Sequence, residues 1–262
     1  MLMTERFRLS CVELKYLLGA DEIDPFLATL RTTSRDPSIR RDEWRITTVY
    51  LDRRDGFFAR AGLNRPERRA EIRLREFFRP EGEPISPFVW VESKQRNGKS
   101  ARVHRYQLHR RLVCRLLRGD LDEDQILGCQ ERFVERDRVR QAAREVRSVA
   151  GPGPLVISGA TSCLRTALEG GSPVARVTLD RQIRYHLDPA GLEGPDPSLD
   201  SATLGPAALE ERAGIVEMKY RGGRRPAWCD QRLGLEGPRS YSKFLILSAL
   251  SATTTRGSPA SA

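Results

Sequence analysis

With 262 residues, 39% of them hydrophobic and 31% charged, the chain is expected to be a soluble globular protein, able to form one large β domain or two small ones around a sizeable core. No stretch approaches the roughly 18 uninterrupted apolar residues that a membrane span requires, and no apolar signal core opens the sequence, so no insertion into a bilayer is expected. The 45 Lys and Arg against 35 Asp and Glu leave a formal charge of +10, mostly as Arg, whose planar fork matches phosphate oxygens, so the natural partners are expected to be anions.

Residues 7–18 read as a strand, with Leu9, Cys11, Glu13 and Lys15 on one face and Val12 and Leu14 on the other. Residues 20–30 have helical spacing, residues 45–51 are apolar and β-branched enough for a strand, and residues 55–63 suit a short helix ending near Gly62. Three strands follow, over 69–78, 88–96 and 101–108, separated by segments that hold Pro80, Gly82, Pro84, Pro87 and Gly98. Between 120 and 149, Ile126, Leu127, Phe133, Val134, Val139 and Val146 recur at helical spacing, which predicts one long helix or two shorter ones. The arginines of that stretch, Arg132, Arg136, Arg138, Arg140, Arg144 and Arg147, alternate with carboxylates as on a solvated, salt-bridged helix face.

The run Gly151, Pro152, Gly153, Pro154 ends the helical pattern. Strands are predicted over 155–157, 163–168 and 175–187, the last two joined by a hairpin turn through Gly170, Gly171 and Pro173. Residues 188–211 read as a surface loop rich in Gly and Pro, 214–220 as a strand, and 227–233 and 242–252 as two short helices. Residues 1–252 are expected to form a single domain and 253–262 a disordered tail.

Cys11, Cys114, Cys129, Cys163 and Cys229 form no CxxC pair, which suits a reducing, cytoplasmic setting. His104, His109 and His186 fall at unrelated spacings and resemble no zinc site. No Walker loop or GxGxxG stands at a strand-to-helix junction. The basic strands lack the paired aromatics on which RNA bases stack, so no specific nucleic acid is expected.

Ionic residues two apart on a strand project from the same face. Five strands carry such pairs: Glu13 with Lys15, Arg73 with Arg75, Glu92 with Lys94, Arg176 with Thr178 and Asp180, and Glu217 with Lys219. Mostly apolar residues alternate with them. Any one such strand is an ordinary amphipathic strand with its ionic face in water. The recurrence, with Glu-x-Lys three times, predicts an α+β protein whose mainly antiparallel strands close into a barrel wrapped by helices, with an ionic interior. Charges gathered in such an interior require water and a counter-anion, and a phosphate chain with Mg²⁺ or Mn²⁺ supplies one.

The chain resembles the catalytic domain of the vacuolar transporter chaperone (VTC) proteins, polyphosphate polymerases of the triphosphate tunnel metalloenzyme (CYTH-like) superfamily. The resemblance covers residues 7–250 and rests on Glu13-Leu14-Lys15-Tyr16, Val49-Tyr50-Leu51-Asp52, Ile72-Arg73-Leu74-Arg75 and Val91-Glu92-Ser93-Lys94. It continues through Arg165-Thr166-Ala167, Arg176-Val177-Thr178-Leu179-Asp180, Val216-Glu217-Met218-Lys219-Tyr220 and Ser240-Tyr241-Ser242-Lys243.

The resemblance implies a triphosphate tunnel in which Lys15, Arg73, Arg75, Lys94, Arg165, Arg176, Lys219 and Lys243 hold phosphates and serve catalysis, with Ser242 assisting and Glu217 as the metal ligand. It implies Mn²⁺ or Mg²⁺ as cofactor, ATP and polyphosphate or another oligophosphate as partners, and transfer of the ATP γ-phosphate onto a growing chain. A metal-dependent triphosphatase or tripolyphosphatase and a non-catalytic polyphosphate-binding module are the alternatives. Tethering to a membrane through another protein is compatible with it.

Hydrolytic and cyclase relatives carry Glu-x-Glu-x-Lys on the first strand, where this chain has Cys11-Val12-Glu13-Leu14-Lys15 and so one carboxylate fewer, which favours a phosphate acceptor over water. Cys163 and Leu168 stand where the family often has aromatics. A basic residue is also implied on the strand after Lys94, with Lys99, Arg102 and Arg105 as the choices. If Arg73 and Arg75 crowd each other as like charges, replacing either with Ala should raise thermal stability at low salt.

Overall fold

A computed structural model describes residues 11–98, 100–130, 135–171, 174–189, 192, 197–221, 228–229, 233, 235 and 237–256. Lys99, Arg132, Phe133, Val134, Pro173, the start of the expected first strand and most of the expected helix over 227–233 lie outside the described residues. In chain order the elements are β1 (Cys11–Leu18), α1 (Ile23–Thr33), β2 (Ile39–Arg53), α2 (Phe57–Asn64), β3 (Arg68–Phe78), β4 (Phe88–Asn97) and β5 (Ser100–His109). They continue with α3 (Val113–Arg118), α4 (Glu123–Gly128), α5 (Arg136–Ala150), β6 (Leu155–Gly170), β7 (Ala175–His186), β8 (Leu209–Glu211), β9 (Gly214–Arg221) and α6 (Lys243–Arg256). Among the described residues no helix is long and apolar enough to cross a membrane.

The chain divides into two compact units. The first comprises Met1–Arg45, Cys163–Arg184 and Glu210–Tyr241; the second comprises Ile46–Ser162, Tyr185–Leu209 and Ser242–Ala262. In the first unit the strand order is β1, β9, β7, β6, β2, and in the second it is β6, β2, β3, β4, β5, because β2 and β6 are long enough, at 15 and 16 residues, to serve both. The pairs β1/β9, β7/β9, β3/β4 and β4/β5 are antiparallel.

The architecture is therefore α+β with a mainly antiparallel sheet, but the expected barrel is not closed by these hydrogen bonds. Among the described residues β1 is paired only by β9 and β5 only by β4, so the strand order has two ends. Closure demands that each end strand give its second edge to another strand. The outer edge of β1 is engaged otherwise: the Arg239 backbone N–H donates to the Lys15 carbonyl at 2.7 Å.

In the first unit, the apolar faces of β1, β7 and β9 present Tyr16, Leu18, Val177, Leu179, Val216 and Met218 to Phe26, Leu27 and Leu30 of α1. Each such side chain contributes about 1.5–3 kcal/mol on burial. In the second unit α5 buries Val139, Ala142 and Val146, the residues at helical spacing, and packs on β4 and β5. Its outer face is salt-bridged, with Arg138 on Glu135 and Arg140 on Glu123 and Asp137. Asp52 closes the start of α2: its carboxylate accepts from the Arg53, Phe58 and Ala59 backbone N–H groups at 2.7–2.9 Å. An acceptor there satisfies donors that a helix start leaves unpaired.

Two local expectations change. The strands expected over 155–157 and 163–168 form one continuous strand, β6, because the small residues between them mark close packing and not a break. A Cβ on Gly159 would press on the His186 carbonyl and on Leu247. The described part of 188–211 is anchored and not a surface loop, since Leu192, Leu199 and Leu204 are buried and His186 Nδ1 meets the Gly205 carbonyl at 3.1 Å. At the other end of β6, Gly170 has φ 150° and lies so close to Ser38 that no side chain fits.

Candidate functional site: two ionic strand faces

The alternation read from sequence becomes, in the first unit, a lattice of opposite charges. Glu13 lies directly across from Lys219 and Lys15 from Glu217 on the paired strands β1 and β9; on the other side of β9, Arg176 faces Lys219 and Thr178 faces Glu217. Lys15 Nζ is 3.7 Å from Glu13 and 3.6 Å from Glu217, and Lys219 Nζ is 3.5 Å from Glu13 and 2.7 Å from Glu217. Each carboxylate thus meets both ammonium groups. Burial pushes the Lys219 ammonium pKa down, but Glu217 and Glu13 outweigh it and the net shift is upward, keeping the charge. Lys15 also donates to the Tyr241 carbonyl at 3.1 Å.

Two further cations of that unit have partners. Arg165 donates through Nε and Nη2 to both oxygens of Asp180, at 2.5 and 2.7 Å. Burial opposes its charge, yet Asp180 raises the guanidinium pKa above its ordinary value. Arg176 lies 4.0 Å from Glu169. Lys15, Lys219, Arg165 and Arg176 are matched by Glu13, Glu217, Asp180 and Glu169, so this face is near neutral.

The second unit is built differently. Across β3, β4 and β5, Arg73 faces Glu92, which faces Arg105, while Glu71 faces Lys94, which faces Val103. Arg73 grips Glu92 with Nε at 2.8 Å and Nη2 at 2.7 Å, and Arg75 and Arg105 stand 3.7 and 3.8 Å from the same carboxylate. Burial pushes Glu92 up, but Arg75, Arg73 and Arg105 more than reverse this and hold it well below the usual carboxylate range. Glu71 follows the same pattern, with burial opposed by Lys94, Arg73 and Arg69 and a net downward shift. Four cations, Arg73, Arg75, Lys94 and Arg105, face two carboxylates, Glu71 and Glu92, so this face carries excess positive charge.

Of the choices on the strand after Lys94, Lys99 lies outside the described residues, and the register separates the other two. Arg105 shares the ionic face with Glu92 and stacks over Trp90 at 4.5 Å, whereas Arg102 sits across from Gln95 on the opposite face. Glu71 was not singled out by sequence reading, although the i, i+2 spacing Arg69, Glu71, Arg73, Arg75 carries its signal. Ser242 and Lys243 belong to this unit. The Ser242 hydroxyl accepts from the Leu245 N–H at 3.4 Å at the start of α6. Lys243 opens that helix, where the dipole disfavours a cation unless an anion joins it. Burial and Glu71 hold the Tyr50 phenol pKa high against Arg73, Lys243 and Arg75, so it stays protonated.

Because Glu92 and Glu71 have depressed pKa values in the folded chain, their contribution to stability is complete above the ordinary value of 4.5 and is lost as pH falls through the lower folded values. Thermal melts from pH 7 to pH 3 are expected to show Tm falling below about pH 4.5. A flat profile would show that the carboxylates are not held as ion pairs.

Among the described residues no three His, Cys, Asp or Glu side chains gather as a metal cage. Glu13 and Glu217 instead converge on the same two ammonium groups. A pair of carboxylates fits Mg²⁺ or Mn²⁺, which are held through one or two carboxylates with water and substrate phosphates filling the remaining positions.

A search of the curated proteins found no significant match. Among solved structures, the chain is similar to a putative adenylyl cyclase from Hippeastrum described as having a dominant triphosphatase activity, at 12% identity and TM-score 0.50 over 92% of this chain and 96% of that one. It is also similar to putative adenylate cyclases from Vibrio parahaemolyticus (14% identity, 91% and 97% covered, TM-score 0.42) and Bacillus halodurans (12%, 80% and 80%, TM-score 0.43). At 12% identity, the likeness to the Hippeastrum protein speaks to fold alone. The model of the VTC domain family matches residues 11–250, nearly the whole chain, and the chain therefore belongs to the VTC domain family.

Proposed function

We propose that the chain is a polyphosphate polymerase that transfers the γ-phosphate of ATP onto a growing polyphosphate chain. The observation that carries this reading is the excess of guanidinium and ammonium groups on β3, β4 and β5, where a buried carboxylate already orients three arginines. A face so arranged is organised for a polyanion before the polyanion arrives.

In this reading the terminal oxygen of the acceptor chain attacks the γ-phosphorus, the bond to the β,γ-bridging oxygen breaks, and ADP leaves. Little covalent work is asked of the protein, so positioning and charge neutralisation supply the rate. Arg73, Arg75, Lys94 and Lys243, with Arg105 added, hold phosphate oxygens, and Ser242 assists at the start of α6. Lys15, Lys219, Arg165 and Arg176 hold phosphates on the first unit's face. Glu217, with Glu13 beside it, would hold Mn²⁺ or Mg²⁺, which when bound neutralises phosphate charge. The first-strand position that is acidic in hydrolytic relatives is Cys11, which favours a phosphate acceptor over water. The reaction is placed in the cytoplasm.

Incubating the protein with ATP and Mn²⁺ and resolving the products tests the proposal. Long polyphosphate plus ADP is expected. Orthophosphate would make the chain a triphosphatase, cyclic AMP a cyclase, and binding without turnover a polyphosphate-binding module.

A further inference from the structure

Arg105 and Tyr106 are consecutive on β5 and so point to opposite faces of the second unit's sheet. Arg105 turns to the ionic face and Glu92, whereas Tyr106 turns to the side on which α5 packs. There a cavity of about 450 Å³ opens between β5, the start of β6 and the helices α3, α4 and α5. Small-molecule sites span roughly 300–1,000 Å³. The walls are aliphatic, with Leu121, Ile126, Val146 and Leu155 among them, and no Asp or Glu lines the space. Tyr106 and Arg147 supply its polarity. Tyr106 is 2% exposed, and its hydroxyl has no hydrogen-bond partner among the described residues. A buried hydroxyl left without a partner costs free energy, so packing alone would be served as well by Phe. Burial, opposed by Arg147, raises the phenol pKa above its ordinary value, and the group stays a donor at neutral pH. Arg147 Nη2 donates to the Leu121 carbonyl at 2.7 Å, which holds the guanidinium against the wall and commits one of its five N–H groups.

We propose that this cavity binds a small carboxylate with an aliphatic body, such as a medium-chain fatty acid. The carboxylate accepts from the Tyr106 hydroxyl and the Arg147 guanidinium, and the chain lies along Leu121, Ile126, Val146 and Leu155. Donors and a positive charge without a facing carboxylate select an anion, and charge-assisted hydrogen bonds of this kind are the strong ones. The aliphatic walls select its body, because they gain by covering apolar surface. A phosphate chain does not suit the space: one guanidinium would face several charges, and the walls would strip their water without replacing it. The site stands apart from the proposed function, on the other face of the same strand.

Titration calorimetry of the full chain with octanoate, octanol and acetate tests the site. Octanoate is expected to bind one to one, octanol at least about tenfold more weakly for want of the charge-assisted bonds, and acetate not measurably. Saturating tripolyphosphate should leave the octanoate affinity unchanged. Tyr106→Phe keeps the ring and removes only the hydroxyl, so it should weaken octanoate about tenfold without lowering Tm. Equal affinities for octanoate and octanol would make this an apolar cavity only and overturn the carboxylate site. Displacement of octanoate by tripolyphosphate overturns it too, because the ligand would then lie on the ionic face. So does an unchanged octanoate affinity in Tyr106→Phe, or no binding of octanoate by the unaltered protein.

Discussion

Replacing Glu92 with Gln is expected to destabilise the protein by about 3–5 kcal/mol, roughly 10 °C in Tm for a chain of this size. Glu92 is 2% exposed and is the common counter-charge of Arg73, Arg75 and Arg105. Removing one member of a buried ion cluster leaves its partners charged and desolvated, which costs more than the pair itself contributes. Arg73→Ala is expected to act in the same direction by a smaller amount, because Arg75 and Arg105 still reach the carboxylate. This reverses the sequence-based expectation that relieving crowded arginines raises stability: Glu92 stands between Arg73 and Arg75, so the two do not repel unscreened. The acid-induced fall in Tm should be smaller in Glu92→Gln. A variant as stable as the parent would mean that the arginines are neutralised by something other than this carboxylate.

Glu217→Gln is expected to lower metal-dependent turnover by at least about 100-fold, the usual scale for losing one charge-stabilising group at a phosphoryl-transfer site. The fold should survive, since Lys219 retains Glu13 at 3.5 Å and Lys15 retains Glu13 at 3.7 Å. The measurement is ATP turnover over a Mn²⁺ titration beside a thermal melt. Undiminished turnover would take Glu217 out of the mechanism. Low turnover with a large fall in Tm would make it a structural residue.

What sequence could show was local. The i, i+2 ionic spacing located β1, β3, β4, β7 and β9, and it separated greasy from ionic faces because a strand allows only two sides. Which strand meets which was not local. Glu13 finds Lys219 across more than 200 positions of chain, and no periodicity encodes such a partner. The choice among Lys99, Arg102 and Arg105 needed the register of β4 on β5, since a one-residue slip turns every side chain to the other face. Barrel closure is not encoded locally, because strand faces specify which side is polar but not which edges pair, and the strand order ends at β1 and β5. Glu71 carries no local mark of burial: at i, i+2 spacing between Arg69 and Arg73 it is indistinguishable from a solvent-facing carboxylate, and only the packed sheet buries it.

The bidentate grip of Asp180 on Arg165 has one more implication. A free arginine side chain loses about 2 kcal/mol of rotamer entropy when it is frozen onto a ligand. Here Nε and Nη2 are already committed to the carboxylate, so that loss was incurred during folding, and under the proposed function a phosphate would meet a guanidinium already held in place. Lysine at this position would keep the charge but lose the rigidity, and the difference would show in the entropy of association more than in its electrostatics.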